Sequence, residues 1–122
     1  SRNESSLIVA IDKIKELRNE FWKDVKVLGD DKTYNPELDK AGRVADFFEL
    51  GELMMRDALE RDESCGGHFR EEFQTKEGEA MRMDKEFSYV SAWENKGEVE
   101  KSKLHKENLE FSNVELKNRS YK

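Results

Sequence analysis

The 122-residue chain has one cysteine, one proline and fewer basic than acidic residues, 22 against 28. Each shortage excludes something. A lone Cys65 cannot form an internal disulfide, so the fold has no covalent staple and suits a reducing setting such as the cytoplasm. A formal net charge of −6 argues against nucleic acid as a partner, because phosphate binding needs a basic surface. The longest apolar run, Leu7 to Ile11, is far shorter than a membrane span or a signal-peptide core. No direct membrane insertion is expected, and any membrane association must come through a partner. Apolar residues are scarce as well: 35% of the chain, with 41% charged, where roughly 45–50% and about 25% are usual. Such a chain can build one domain with a thin core, and should either expose most of its surface or bury its apolar faces against something outside it.

What is present is helical periodicity. Leu7, Ile11, Ile14, Leu17, Phe21, Val25 and Leu28 recur in steps of three and four, one apolar face of a helix over about residues 5–28. Asn3, Ser5 or Ser6 can cap it, and Gly29 follows its last apolar residue. After a loop, Asn35-Pro36-Glu37 reads as a helix start: a capping side chain, a proline in the first turn, and an acid facing the helix dipole. The second helix, about 36–62, has apolar residues on most of its circumference, as expected of a helix buried on several sides. Gly42 and Gly51 lie nine residues apart, on opposite faces, where each would allow a close approach. This helix wants more neighbours than the first can supply. Either a further helix precedes the first or the chain pairs with a copy of itself. A beginning directly in a helix fits a fragment of a longer protein.

The turn at 63–70 concentrates the special chemistry: Cys65, the Gly66-Gly67 pair, His68 and Arg70. Adjacent glycines permit positive φ and a sharp reversal. Cys65 and His68 could offer two metal ligands, but a structural zinc needs four, and only His105 and carboxylates remain to complete the set. As a nucleophile and base the pair lacks an orienting third group. Cys65 is therefore expected as a small buried thiol. His68 and Arg70 are expected as internal bridges to Glu71, Glu72 or a neighbouring domain. The carboxylate pairs Asp30-Asp31, Asp62-Glu63 and Glu71-Glu72 read as solvated surface. No glycine-rich phosphate turn occurs. The residues alone give no catalytic, cofactor-binding or metal site.

Past Phe69 and Phe73, spaced for a short helical turn, the chain is polar to Asp84. Between Lys85 and Glu94 the period changes to two, with Phe87, Tyr89, Ser91 and Trp93 on one face of a strand. Asn95-Lys96-Gly97 is a turn, and Glu98 to Lys106 a weak partner strand. Leu109, Phe111, Val114 and Leu116 alternate in a tail that needs a host surface. The expected fold is mainly α: an antiparallel helical pair and its turn over residues 1–74, then an extended tail with a weak β-hairpin over 75–122.

Glu63-Ser64-Cys65-Gly66-Gly67-His68-Phe69-Arg70 resembles the Glu-Ser-Arg-Gly-Ala-His-x-Arg stretch of succinate dehydrogenase and fumarate reductase flavoprotein subunits. There it follows a long helix similar to Glu49–Leu59, and many of these subunits end in an Arg-x-Tyr like Arg119-Ser120-Tyr121. The Ser-Cys-Gly-Gly-His-Phe-Arg-Glu-Glu form looks like the version in fumarate reductases of the Bacteroidetes type. The resemblance implies the family's C-terminal domain, a three-helix, spectrin-repeat-like bundle with an extended tail, of which the two helices here would be the last two. It implies a full-length FAD-dependent oxidoreductase that interconverts fumarate and succinate in anaerobic respiration or the citric acid cycle. Its partners would be the flavin-binding domain of the same subunit, an iron–sulfur subunit and a membrane anchor, on the cytoplasmic face of the inner membrane. The family's flavin and substrate residues lie upstream, so none is carried onto this chain. Cys65 stands where many members have arginine and Gly67 where they have alanine, while His68 and Arg70 match. Cys65, Gly66, Gly67, His68 and Arg70 would then form an interdomain interface turn. Two other readings stay open: a free-standing helical adaptor that binds a partner helix, and a metal sensor using Cys65, His68 and His105.

Overall fold

A computed structural model describes residues 2–30 and 32–117; Asp31 and the Arg119-Ser120-Tyr121 terminus lie outside the described residues. Helix α1 spans Glu4–Asp24 and α2 spans Pro36–Glu60. A four-residue helix α3, Asp84–Phe87, precedes strand β1, Tyr89–Glu94. A 3-10 turn at Val99–Lys101 leads into β2, Lys103–Asn108. The chain is mainly α with one antiparallel hairpin, as the periodicities require.

Both long helices start where their side chains satisfy free backbone donors. Asn3 Oδ1 accepts from the Ser6 N–H at 2.8 Å while Ser6 Oγ accepts from the Asn3 N–H at 3.3 Å, a reciprocal capping box. Asn35 Oδ1 accepts from Glu37 and Leu38, and its amide donates to Leu28 O at 2.9 Å. One side chain thus starts α2 and holds the preceding loop. The first helix ends four residues before the expected Leu28. Val25 turns extended (φ −60°, ψ 126°) after its N–H closes on Phe21 O, and β-branched Val25 and Val27 favour that conformation. The second helix stops at Glu60 rather than residue 62, because Arg61 is drawn away by partners described below.

The helices run antiparallel. Phe21 meets Phe48 with ring centroids 5.5 Å apart, Arg18 reaches Glu52, and Ile14 faces Gly51. A Cβ on Gly51 would stand 2.9 Å from Ile14 Cδ1, so this glycine does admit a close neighbour, whereas a Cβ on Gly42 would meet nothing within 4 Å. Gly42→Ala should therefore raise stability by about 0.5–1 kcal/mol through helix propensity. Urea unfolding would show it as a higher midpoint; an unchanged or lower midpoint would mean that another surface needs the gap at Gly42. Gly51→Ala should gain less, because Ile14 must shift.

The hairpin pairs Trp93 with Leu104 and Tyr89 with Asn108. Tyr89, Ser91 and Trp93 face inward while Val90, Ala92 and Glu94 face out, the predicted alternation. The strand begins later than expected, since residues 84–87 coil into α3. Trp93 Nε1 donates to Asp57 Oδ1 at 2.8 Å, Lys106 Nζ reaches Glu60 Oε1 at 3.2 Å, and Lys15 Nζ reaches Glu100 Oε2 at 2.7 Å. These contacts dock the hairpin along α2 and one flank of α1.

Among the described residues the core is small and half polar. Leu7, Ile11, Ala58 and Tyr89 are its buried apolar members, and Glu52, Glu63, Ser64 and Arg70 its buried polar ones. Glu52, 0% exposed, accepts from Arg18 Nη1 at 2.9 Å and from Arg56 Nε and Nη2 at 3.0 and 2.7 Å. Meanwhile Leu38, Val44, Phe47, Leu50 and Met54 of α2 stay exposed, so this helix does carry more apolar surface than α1 covers.

Candidate functional site

The turn after α2 is built around Arg70, 2% exposed. Its Nη1 donates to Leu59 O at 3.1 Å and to Asp62 Oδ1 at 2.6 Å, its Nη2 lies 3.4 Å from Glu72 Oε1, and its plane stands over Phe73 at 5.1 Å. A guanidinium placed here binds a carbonyl in the last turn of α2, which no helical N–H reaches, and fixes the chain that leaves the helix. Ser64, fully buried, completes the backbone pairing. Its Oγ accepts from the Arg70 N–H at 2.8 Å and donates to Arg70 O at 3.2 Å, doing with one hydroxyl what a strand neighbour does with two backbone groups.

Within this frame Cys65 and His68 exchange backbone hydrogen bonds, Cys65 N to His68 O at 2.8 Å and His68 N to Cys65 O at 3.0 Å. Gly66 sits at φ +58° at the tip, a left-handed conformation that glycine takes without strain. Gly67 needs no such conformation, and a Cβ there would meet nothing within 4 Å. Cys65 is exposed, which corrects the expectation of a buried thiol: the turn projects its tip outward and directs Ser64 and Arg70 inward. His68 Nε2 lies 3.0 Å from Arg61 O and Nδ1 3.4 Å from Arg2 Nη1. A carbonyl only accepts and a guanidinium only donates, so the proton sits on Nε2 and Nδ1 is the acceptor. The expected bridge from Arg70 to Glu72 is present, at 3.4 Å, and Asp62 is a second partner that was not expected. His105 is on β2, 2.8 Å from Glu94, and is not brought to Cys65 or His68. Among the described residues no three His, Cys, Asp or Glu side chains are grouped to hold a metal ion.

Two further residues were not singled out by sequence reasoning. Glu63 is buried, though it was expected as solvated surface: its Oε1 takes Arg61 Nε at 3.0 Å and its Oε2 takes the Met83 N–H at 2.9 Å. Arg61 Nη2 also donates to Phe87 O at 2.6 Å, with its charge 5.2 Å from the Tyr89 ring centre. This pair joins the end of α2 to the approach of β1. Residues 69–73 form no helical turn; Arg70 bridges to Arg2, and Phe73 N closes on Arg70 O at 3.0 Å. The two phenylalanines share the spacing of a helix, but Arg70 is held extended by Ser64.

The same segment clamps the start of α1. Glu71 N donates to Arg2 O at 2.8 Å, Asn3 Nδ2 donates to Glu71 Oε2 at 2.8 Å, and Glu72 Oε1 accepts from the Glu4 N–H. That backbone hydrogen bond is the main reason the Glu72 pKa falls below its ordinary 4.5, and Arg70 adds to it. A carboxylate also complements the positive end of the helix dipole. Because the folded-state value is depressed, the stabilisation is full above the unfolded value and is lost as pH falls through the folded one. Unfolding of the wild type between about pH 6 and about pH 3 should show this loss, and Glu72→Gln should lack part of it. Equal slopes for the two proteins would remove Glu72 from the acid response.

No helix is long and apolar enough to cross a membrane among the described residues. The only glycine pair in the sequence, Gly66-Gly67, lies in a turn and opens no helix. No individual curated protein matches the chain. A family model described as "Fumarate reductase flavoprotein C-term" matches residues 1–121, the whole of the folded region and the turn alike. The chain therefore belongs to the fumarate reductase flavoprotein C-terminal family.

Proposed function

We propose that the chain is the structural C-terminal domain of a flavoprotein subunit that interconverts fumarate and succinate. FAD would be held elsewhere in that subunit, and its electrons exchanged with an iron–sulfur subunit and a membrane anchor at the cytoplasmic face of the inner membrane. The domain itself buttresses the flavin-binding domain. The observation that carries this reading is the turn fixed from within and open outward. Ser64 and Arg70 anchor it in the core, while Cys65, Gly66 and Gly67 are exposed, and neither backbone conformation nor a neighbour among the described residues calls for a glycine at 67. A surface pressed against the tip would.

The uncovered flank supports the same reading. Phe47 and Met54, 63% and 57% exposed, are seven residues apart and fall on one line of α2. Leu17 of α1, also exposed, lies about 200° round the helix from Lys15, which holds the hairpin side. A third helix of the same subunit would cover these residues.

An antibody against the chain, used on a lysate of the source cells, gives the first test. A band several times larger than 14.3 kDa that fluoresces as a covalent flavoprotein supports the assignment. A dark band near that mass overturns it in favour of a free-standing adaptor. The interface has its own test. In the native full-length subunit Cys65 should resist a maleimide and react fully after denaturation. Rapid labelling of the native subunit would place the turn in solvent and leave it without an interface role.

A further inference from the structure

On the hairpin side of α2 runs a cleft whose floor is Leu50, Leu53, Trp93 and Val99 and whose rim is Asp46 and Glu49. Leu50 is exposed there and Trp93 half-buried. The indole is immobilised, because its N–H is held by Asp57, so the ring presents a fixed wall. The rim is unlike the rest of the helix. The other carboxylates of α2, Glu37, Asp39, Glu52, Asp57 and Glu60, each have a hydrogen bond or ion pair. Asp46 and Glu49 have none among the described residues. They stand three residues apart on one side of the helix, where like charges repel, and they border apolar surface that water solvates poorly.

We infer that this cleft docks a basic segment of a protein partner, one Lys or Arg flanked by apolar residues. The cation would lie between Asp46 and Glu49 and against Trp93, and the apolar neighbours would cover Leu50 and Leu53. An incoming cation relieves the repulsion between the two carboxylates and gains attraction from the face of a tryptophan. An acidic or neutral segment would do neither. The cleft lies on the side of α2 that holds the hairpin, away from the Gly66 turn, with Leu50 at its edge one turn from both Phe47 and Met54. A helix over Phe47 and Met54 would keep its protection at high salt, and the salt response separates it from a basic occupant. The inference thus stands or falls separately from the role of the Gly66 turn.

Carboxyl footprinting with a carbodiimide and glycine ethyl ester tests it on the full-length protein in a native cell extract. Asp46 and Glu49 should be several-fold protected at low salt and become labelled at about 1 M salt, where the screening length shrinks to about 3 Å. Asp12 and Asp24 of α1 should be labelled equally in both conditions. Protection that survives salt would indicate an apolar occupant and overturn the inference, as would full labelling at low salt. A paired Asp46→Lys, Glu49→Lys variant gives an independent reading. Both substitutions are at exposed positions, so the fold should persist, and Leu50 and Trp93 should become accessible to hydroxyl-radical labelling at low salt. Protection of those two side chains unchanged from the wild type would also overturn it.

Discussion

Arg70→Ala should cost about 3 kcal/mol of folding stability, one of the two largest effects expected of any single substitution. The guanidinium is buried and makes four kinds of contact: the Leu59 carbonyl, Asp62, Glu72 and the Phe73 ring. Truncation leaves the carbonyl in a pocket with no donor, and an unsatisfied buried acceptor alone costs about 1–3 kcal/mol. A cavity and a lost cation–π contact add to it. The Asp62 pair contributes least, because that carboxylate is mostly solvated. Arg70→Lys should recover only part, since one ammonium cannot reproduce a planar fork with donors on two sides. In urea the alanine variant should unfold about 1–3 M earlier, given slopes of about 1–3 kcal/mol per molar. A shift below about 0.5 M would mean that the turn is held by Ser64 and the backbone, with Arg70 a passenger.

Glu52→Ala should be comparably damaging, for a different reason. It strands two guanidinium groups, Arg18 and Arg56, against each other between the long helices. Breaking a buried pair from one side costs about 3–5 kcal/mol, and the lower end applies because both arginines are about a quarter exposed. The cluster as a whole need not be stabilising. Changing Glu52, Arg18 and Arg56 together to apolar residues of similar volume should restore most of the loss, measured again by urea midpoint. If the triple variant is no better than Glu52→Ala, the charges contribute through packing of their stems rather than through mutual attraction. What the cross-helix member gives is register: a helix pair with a thin core can slide, and the Arg18–Glu52 contact, with Arg56 holding the carboxylate from its own helix, is made at a single offset.

The positions of the elements were legible because their signals are local. Asn3 and Asn35 cap within four residues of themselves, and the period-two aromatics of β1 follow from alternation alone. Boundaries moved where side chains from elsewhere intervened, as when Arg61 turned from the helix toward Glu63 and Phe87. Burial of polar residues was harder to read, since Glu63 is set apart from its neighbour Asp62 by partners that its own position does not announce, Arg61 and, twenty residues on, the Met83 N–H. One signal could have been found. Ile11, Ile14, Arg18 and Phe21 keep steps of three and four, as do Ala45, Phe48, Glu52 and Met55. A charged residue therefore interrupts the apolar seam on each helix, and antiparallel pairing sets the two interruptions opposite one another. Cys65 was misplaced because a small apolar thiol in a tight turn is usually buried; the turn here points its tip away from the core.

The contacts that join residues 2–4 to residues 70–72 have a consequence in time rather than in energy. They close a loop of most of the folded region, and loop closure delays non-local contacts until local ones have formed. The two helices can pair as a hairpin as soon as both exist, whereas the start of α1, capped locally by Asn3 and Ser6, has no tertiary partner until the turn beyond α2 has emerged. The clamp is thus expected to be the last structure to form and the first to open. Weakening it, as Glu72→Gln does, should quicken unfolding and leave the folding rate nearly unchanged. During synthesis, the first helix of this domain waits with an undocked end for a segment made some seventy residues later.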